Sequence, residues 1–227
     1  MLLYWTLRYV FPGPFLWLLF RLRVEGAEHV PAQGPLVLAC DHLSFLDPIL
    51  VQLGVRRRVV FAAKQEYFTG RGLLGLAVRL FFKATGMIPM DRSGGPAAEE
   101  AIAVAVAALE DGKVVGIFPE GTRSPDGRLY RGRTGVGRLV VASRAPVVPV
   151  AVIGTDRILP PGKWLPRVGQ ATIRFGRPME FTESSSRAIT DEVMGAVQQL
   201  SGRPYVDAYA PIPARGRWGR RLEGGSC

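Results

Sequence analysis

The sequence is poor in the side chains that build disulfide frameworks and transition-metal sites. Its 227 residues include two cysteines, Cys40 and Cys227, and two histidines, His29 and His42. One cysteine lies in an apolar run and the other ends a polar tail, so we expect no disulfide framework and a reducing compartment. Neither residue type is numerous enough for a Cys- or His-based metal cluster, and we expect no bound metal.

Acidic residues are also scarce relative to basic ones. The 19 Asp and Glu residues stand against 29 Lys and Arg residues, which gives a formal net charge of +10. Such a balance favours a polyanionic partner, which can be nucleic acid, an anionic lipid surface or a phosphorylated substrate. The basic residues are scattered, and no long Lys/Arg run resembles a nucleic-acid-binding arm. We therefore expect no nucleic-acid partner.

No apolar run is long and unbroken enough to predict a straight membrane-spanning helix. Residues 2–20 approach the necessary length, but Arg8 lies inside the run and a Pro-Gly-Pro sequence at 12–14 breaks any helix at its middle. Two short helices fit this pattern, with their Tyr and Trp side chains at the headgroup level. We predict that residues 1–24 form a monotopic anchor in one membrane leaflet.

The same stretch has two alternative interpretations. A core helix hairpin fits its length and its central break. A signal peptide is disfavoured, because no small-residue cleavage site follows the apolar run and no cluster of positive charge precedes it. The monotopic anchor is the interpretation that we carry forward.

The rest of the chain alternates short β-branched runs with helical patterns. This alternation predicts an α/β domain, in which helices flank a mixed, largely parallel sheet whose strands are apolar because both faces are covered. We assign this domain to residues 25–201 and treat residues 202–227, rich in Pro, Gly and Arg, as a tail that wraps the surface or is partly disordered. The predicted strands are 35–40, 59–63, 114–118, 147–153 and 171–175, and the predicted helices are 72–82, 97–110, 136–143 and 187–200.

A histidine and an aspartate follow the strand predicted at 35–40. His42 comes at the carboxyl end of that strand, where open α/β sheets bind ligands. Asp47 precedes Pro48, which favours the first helical position, so we predict that Asp47 is a helix N-cap. The turn into the helix can bring its carboxylate to one imidazole nitrogen and leave the other as a general base. The alternatives are a plain helix cap beside a loop histidine, and a nucleophilic Ser44, which lacks a G-x-S-x-G elbow.

Arg92 also follows an apolar run and stands beside a glycine-rich loop. Pro89 inside that run predicts an edge strand. An arginine at such a strand end is suited to hold a phosphate through two hydrogen bonds, although a surface pair with Asp91 is the simpler alternative. Lys64 and Lys83 add cations near the ends of predicted elements, and the alternative for both is a solvated side chain.

The segment 118–124 leaves a strand and turns at Gly121, where a glycine lets the backbone approach a ligand closely. Arg123 can pair with a phosphate and Thr122 can donate a hydrogen bond. Glu120 can orient an arginine or accept a hydrogen bond from a hydroxyl. The alternative is a simple turn before a hairpin.

Four segments occur in order along the chain, namely DHLSFLD at 41–47, GMIPMDR at 86–92, FPEGTRS at 118–124 and VVPVAV at 147–152. Their order and approximate spacing resemble the four motifs of the PlsC-type glycerolipid acyltransferases, the lysophosphatidate acyltransferase family. One such motif is weak evidence, but four in order make a coincidence a poor explanation. The resemblance covers roughly residues 25–180, and the family's N-terminal two-helix membrane motif is similar to residues 2–20.

The resemblance implies transfer of an acyl group from acyl-CoA or acyl-carrier protein to the sn-2 hydroxyl of 1-acylglycerol 3-phosphate, which gives phosphatidic acid. It implies that His42 is the general base and Asp47 its orienting partner. It assigns binding of the glycerol phosphate to Arg92 and to the stretch Glu120-Gly121-Thr122-Arg123. Residues 148–150 would shape the acyl or glycerol pocket.

The first and second segments each depart from the motifs of the family. Asp41 stands where Asn usually precedes the histidine, and we expect its negative charge to raise the basicity of His42. Pro89 and Met90 stand where the second motif has larger apolar residues, so a locally different strand is expected. Neither departure removes a catalytic group, but both leave the acceptor preference open.

The expected reaction needs no cofactor besides the acyl donor and no acyl-enzyme, because no Cys or Ser is placed as an activated nucleophile. Backbone N–H groups after Asp47 or near Gly121 are expected to hold the oxyanion. The expected partners are the lipid bilayer, lysophosphatidate and acyl-CoA or acyl-carrier protein, at the cytoplasmic face of a bacterial cell membrane. The alternatives are an acyltransferase or transacylase for a glycolipid, another lysophospholipid or glycerol 3-phosphate, and a non-enzymatic protein that binds anionic membranes.

Overall fold

A computed structural model of the protein describes residues 2–64, 69–70, 72, 75–76, 79–80, 87–90, 96–160, 162–163, 165–182 and 185–211. Nine strands occur in these ranges: β1 (Arg23–Glu25), β2 (Leu36–Cys40), β3 (Val59–Lys64), β4 (Ile88–Met90), β5 (Val114–Ile117), β6 (Leu129–Tyr130), β7 (Val147–Ile153), β8 (Thr172–Phe175) and β9 (Tyr205–Val206). The same ranges contain helices α1 (Leu2–Tyr9), α2 (Gly13–Leu19), α3 (Asp47–Gly54), α4 (Pro96–Glu110), α5 (Gly135–Ser143), α6 (Thr155–Ile158) and α7 (Ser186–Ser201).

Seven of the strands form one sheet, in the order β1-β8-β7-β2-β5-β3-β4. Strands β7 and β8 pair antiparallel, and the other neighbours pair parallel. Strands β6 and β9 form a separate parallel pair. The predicted mixed, largely parallel sheet flanked by helices is thus confirmed. Strand β4 lies at the edge, as Pro89 predicts, because a proline has no N–H to donate to a neighbouring strand.

The helices follow from short sequence signals. Pro96 opens α4, where its missing N–H is not needed, and Gly112 lies beyond the helix end with φ of 71°. Ser185 caps α7 by accepting a hydrogen bond from the N–H of Ala188 at 3.1 Å. The predicted helices at 97–110, 136–143 and 187–200 are confirmed, whereas most of the one at 72–82 lies outside the described residues.

Alternate residues of β2 contribute to two cores, one on each face of the sheet. Leu36 and Leu38 pack with α3 and with Phe20 at the end of α2. Val37 and Ala39 pack on the opposite face with α4, α5 and α7. Each large aliphatic side chain buried in this way contributes about 1.5–3 kcal/mol to folding. Because both faces are covered, the carboxyl end of β2 is held rigidly, and the site is built there.

The N-terminal residues form two short helices, as predicted, and are tied to the domain by polar contacts. Arg8 donates to the backbone carbonyls of Gln52 and Leu53 at the end of α3, the second at 3.0 Å. These bonds satisfy carbonyl groups that a helix end leaves unpaired. Tyr4 is buried, while Leu18 is 80% exposed. Among the described residues, no helix has both the length and the apolar character required to cross a membrane.

The segment after α7 returns to the domain. Gly202 ends the helix with φ of 67°, in the left-handed region that favours glycine. Tyr205 and Val206 then pair with Leu129 and Tyr130. The part of the predicted tail that the structure describes, up to residue 211, is therefore hydrogen-bonded to the body of the protein, and residues 212–227 lie outside the described residues.

Candidate active site

His42 and Asp47 form a hydrogen-bonded pair at the carboxyl end of β2. The Nδ1 atom of His42 lies 2.8 Å from Oδ2 of Asp47. The same oxygen accepts the N–H groups of Leu43 and Ser44, each at 2.7 Å. Asp47 is fully buried, whereas the side chain of His42 is 15% exposed. With Nδ1 bound to Asp47, Nε2 is the ring atom that is left for proton transfer.

The predicted role of Asp47 as a helix N-cap is wrong. Leu46 is the N-cap residue, and Asp47 is the first residue of α3 itself. Its carboxylate turns back to N–H groups of the preceding loop instead of forward to those of the helix. The loop from His42 to Asp47 is therefore closed by one carboxylate oxygen, and this closure brings the two side chains together across five positions.

Phe118 stacks on one face of the His42 ring. The two ring centroids are 4.0 Å apart with an interplanar angle of 19°. Phe61 stacks in turn on Phe118, with centroids 5.3 Å apart. Stacking on one face and a hydrogen bond at Nδ1 together restrict the rotation of the imidazole. The sequence analysis missed this contact, although Phe118 is the first residue of the FPEGTRS segment.

Glu120 holds the backbone of His42. Its Oε1 accepts the N–H of His42 at 3.3 Å, and its Oε2 accepts the N–H of Tyr130 at 2.9 Å. Burial raises the pKa of Glu120 to about 7, although both N–H groups oppose that shift. Because both of its oxygens accept backbone N–H groups, Glu120 fixes the position of the His42 backbone. The predicted contact of Glu120 with an arginine or a substrate hydroxyl stays a prediction.

The loop after Glu120 passes directly beside His42. Ser124 donates its N–H to the carbonyl of His42 at 2.7 Å, which brings the half-buried Thr122 and Arg123 to the same edge of the sheet. Gly121 has φ of 75°, and a Cβ atom there would lie 3.0 Å from Cδ of Arg133. Arg133 is therefore a further cation beside this loop. It was not singled out from the sequence, because no strand was predicted near it and it lies three residues beyond the end of β6.

The remaining predicted cations lie where the structure gives less detail. Lys64 is the last residue of β3, and its side chain is outside the described atoms. Arg92 and Lys83 both lie outside the described residues. Their predicted binding of phosphate stays a prediction. Val148 and Val150 are fully buried in the sheet, so the fourth segment supports the site through β7.

Asp41 does not place a negative charge beside the imidazole in the way that we expected. Its Oδ1 accepts the N–H of Val152 in β7 at 2.7 Å, and its Oδ2 lies 3.6 Å from Nε of Arg203. Burial raises the pKa of Asp41 to about 8, and Arg203 only partly offsets this rise. The two oxygens of the Asp41 carboxyl therefore contact β7 and Arg203 and not the imidazole.

Ser44 has a structural contact, which agrees with rejecting it as a nucleophile. It is fully buried, and its hydroxyl donates to the carbonyl of Leu159 at 2.9 Å. The N–H groups of Leu43 and Ser44 are used by Asp47, and the N–H of Gly121 donates to the carbonyl of Phe118 at 3.0 Å. These three groups are therefore engaged within the protein and do not point to an oxyanion.

The geometry resembles that of known enzymes. A model of the acyltransferase family matches residues 21–153, which include the His42–Asp47 pair and the loop with Glu120. This chain belongs to the acyltransferase family. The PlsC-type resemblance of the four sequence segments is thereby confirmed.

Individual acyltransferases extend the comparison. The 1-acyl-sn-glycerol-3-phosphate acyltransferase of Bacillus subtilis is 28% identical over 80% of this chain and 85% of its own length. A chloroplastic enzyme with the same activity in its name, from Arabidopsis thaliana, is 31% identical over 63% of this chain, which spans 39% of that protein. The crystal structure of the LPA acyltransferase PlsC from Thermotoga maritima superposes with a TM-score of 0.64 at 26% identity, over 83% of this chain and 76% of that one.

Proposed function

We propose that this acyltransferase moves a fatty acyl group from a thioester donor to the sn-2 hydroxyl of 1-acylglycerol 3-phosphate. The observation that carries the proposal is the 2.8 Å contact between Nδ1 of His42 and the buried carboxylate of Asp47. This contact engages Nδ1 and leaves Nε2 for proton transfer, and the loop with Thr122 and Arg123 is bonded to the carbonyl of His42 through Ser124. The names of the relatives from Bacillus subtilis and Arabidopsis thaliana favour this acceptor.

The proposed reaction is a direct transfer. Nε2 of His42 takes the proton of the acceptor hydroxyl while the hydroxyl oxygen attacks the thioester carbonyl. Asp47 stabilises the imidazolium that forms. A carbon–oxygen bond forms and the carbon–sulfur bond breaks. The proton on His42 then passes to the departing thiolate, which leaves as free CoA or carrier thiol. The donor brings its own activated carbonyl, so the proposal includes no metal and no further cofactor.

The proposed acceptor site is cationic because the acceptor carries a phosphomonoester. Arg123 is the described residue best placed to pair with it, since the next residue is bonded to the carbonyl of His42. Arg92, Lys64 and Lys83 are proposed as further cations, with Gly121 and Thr122 giving backbone and hydroxyl contacts. Glu120 contributes by holding the loop, through its bonds to His42 and Tyr130.

The proposed location is the cytoplasmic face of a cell membrane. The bends at the N-terminus expose Val10, Phe11, Phe15 and Leu18, each at least half exposed. An apolar surface on two short helices suits insertion into one leaflet, from which a lysolipid can reach the enzyme without leaving the bilayer. Acyl-CoA and acyl-carrier protein both remain candidate donors, because each presents an anionic thioester carrier to a basic protein.

The base is tested by thiol release from palmitoyl-CoA in detergent, with and without 1-acylglycerol 3-phosphate. We expect acceptor-dependent release, and a loss of about 100-fold or more in turnover for His42→Ala. The chain offers a matched control in its other histidine. His29 bonds to the carbonyl of Phe175, away from the dyad, and His29→Gln should retain turnover. An active His42→Ala enzyme would refute the mechanism, and release without acceptor would indicate a thioesterase.

The acceptor is tested by comparing lysophosphatidate with lysophospholipids and glycolipids that lack a phosphomonoester. Arg123→Ala should raise KM for lysophosphatidate about tenfold while KM for the donor changes little, because the lost charge pairs with the acceptor phosphate. A shift confined to the donor KM would reassign Arg123 to the donor site. Equal turnover of acceptors without a phosphomonoester would favour the related acyltransferase or transacylase. An inactive protein that sediments with anionic vesicles would favour the non-enzymatic alternative.

A further inference from the structure

Arg203 is a charged residue buried behind the catalytic loop, far along the chain from the family motifs. Its side chain is 12% exposed, and its Nη2 donates to the carbonyl of Val152 at 2.8 Å. Its Nε lies 3.6 Å from Oδ2 of Asp41. A guanidinium removed from water to this extent needs an anionic or carbonyl partner, and this one has both.

Val152 joins Arg203 and Asp41 into one cluster. The N–H of Val152 donates to Oδ1 of Asp41, and the carbonyl of the same residue accepts from Arg203. Because Asp41 immediately precedes His42, the direction in which the chain leaves β2 depends on this cluster. The contact at 3.6 Å is longer than a hydrogen bond, so the guanidinium acts on Asp41 through its charge and leaves some freedom in the geometry.

The residues after Arg203 reach His42 by a second route. The carbonyl of Pro204 accepts the N–H of Leu129 at 3.0 Å, and β9 then pairs with β6. The N–H of Tyr130 in β6 donates to Glu120, whose other oxygen accepts the N–H of His42. The segment that begins at Arg203 thus contacts Asp41 directly and is linked to Glu120 through β6.

We propose that Arg203 is a positioning residue for His42, which acts through Asp41 and the end of β7 to fix the path of the catalytic loop. The residue touches neither reacting atom. Arg203 stabilises the backbone at the start of the loop, whereas Asp47 and Phe118 contact the imidazole itself. The matched family model ends at residue 153, so this support comes from outside the segment that defines the family.

The electrostatics agree with this arrangement. Burial is the largest influence on the pKa of Asp41 and of Glu120 and raises both, and the positive charge of Arg203 lowers both. The charge of Arg203 thus opposes the rise in pKa that desolvation causes in two carboxyl groups beside the His42 backbone.

The proposal can be tested by NMR because the chain has two histidines. The His42 ring lies 4.0 Å from the Phe118 ring, so the shifts of its carbon-bound protons depend on its position through the ring current. Arg203→Met should move the His42 signals and leave the His29 signals in place. The matched control is Arg174→Met, which also removes a bond to a carbonyl, that of Leu200, near the end of α7. It should move neither set.

The activity arm rests on the proposed function. Arg203→Met should lower kcat about tenfold with KM for both substrates within about twofold, as expected for a misplaced base. The loss should be smaller in an Asp41→Asn background, because Asn can still accept from Val152 but has no ionisable group on which the cation can act. A thermal unfolding midpoint is measured for each variant, and the double variant keeps the test valid if the single variant folds poorly.

The outcomes separate the two ideas. Unchanged His42 signals together with an unchanged kcat in Arg203→Met would overturn the positioning role and leave the acyltransferase proposal standing. Additive effects of the two substitutions would show that Arg203 does not act through Asp41, which also overturns it. If the wild-type protein transfers no acyl group, the proposed function fails, and the NMR shifts alone decide on Arg203.

Discussion

At the scale of single residues, Asp41 makes the stability of the fold depend on pH. Burial raises its pKa to about 8 in the folded state, from an ordinary value of 3.8. Between these values the folded state holds a proton that the unfolded chain releases. The stabilising contribution is complete below about pH 3.8 and is lost as the pH rises through about 8. A carboxyl that is salt-bridged at the surface has the opposite dependence.

We therefore expect Asp41→Asn to gain stability over the wild type as the pH rises. From pH 5 to pH 8 the difference in the free energy of unfolding should grow by roughly 3 kcal/mol, because Asn has no proton to lose. Guanidinium unfolding in a mild detergent at several pH values measures it. The control is Asp126→Asn, since the Arg128 side chain lowers the pKa of Asp126 to about 2 and this group stays ionised throughout. Parallel pH profiles for Asp41→Asn and the wild type would contradict the expectation.

At the scale of elements, the N-terminal segment has a buried part and an exposed part. Phe20 and Leu22, directly after α2, belong to the main core, whereas Phe15 and Leu18 on α2 are exposed. Deleting residues 1–24 would remove core side chains together with the exposed surface. Substitutions on the exposed surface are therefore the better test of membrane anchoring.

We expect the double variant Phe15→Ser, Leu18→Ser to bind anionic vesicles at least tenfold more weakly. Serine removes the apolar area that would enter the leaflet, while the buried side of the helix is unchanged. Vesicle sedimentation measures binding, and turnover of detergent-dispersed substrate checks that the site is intact. The control double variant, Val104→Ser, Val141→Ser, removes exposed apolar side chains from α4 and α5 and should bind normally. Equal sedimentation of all three proteins would place the membrane contact elsewhere.

The elements themselves were largely predictable from sequence, because strand β2 and helix α4 carry strong local signals. Five apolar residues in a row indicate a covered strand, and Pro96 with Gly112 marks the two ends of a helix. The edge position of β4 followed from Pro89. Position at the end of a strand and the five-residue spacing allowed a pair of His42 and Asp47, and the resemblance to the family favoured it over a plain helix cap.

The contacts that orient the site were not predictable in the same way. Whether Asp47 turns forward to its helix or back to the loop depends on which N–H groups the fold leaves unpaired. The stacking of Phe118 and the approach of Arg203 join residues far apart in sequence, so they depend on the assembled sheet. The departure at Asp41 predicted a negative charge beside the imidazole, whereas burial, which the sequence does not show, raises the pKa of this carboxyl.

At the scale of the whole molecule, the formal net charge of +10 acts together with the apolar N-terminus. We expect binding to vesicles with anionic lipid to weaken several-fold between about 0.05 and 0.5 M salt, because the Debye length falls from more than 10 Å to below 5 Å. Binding to neutral vesicles, which rests on apolar contact, should change little. Sedimentation across a salt series measures both. A salt-independent partition into anionic vesicles would assign membrane affinity to the helices alone.

The pairing of β1 with β8 has a consequence for the order of folding. It joins the segment directly after the N-terminal helices to a strand near the opposite end of the chain, and His29 and Phe175, which are bonded beside it, are 146 positions apart. Contacts of such long sequence separation form late, because the entropy of closing the loop must be overcome first. The N-terminal helices can therefore meet a bilayer before their orientation relative to the sheet is set. At the membrane location that we propose, nascent molecules would reach the bilayer first and acquire a working geometry there.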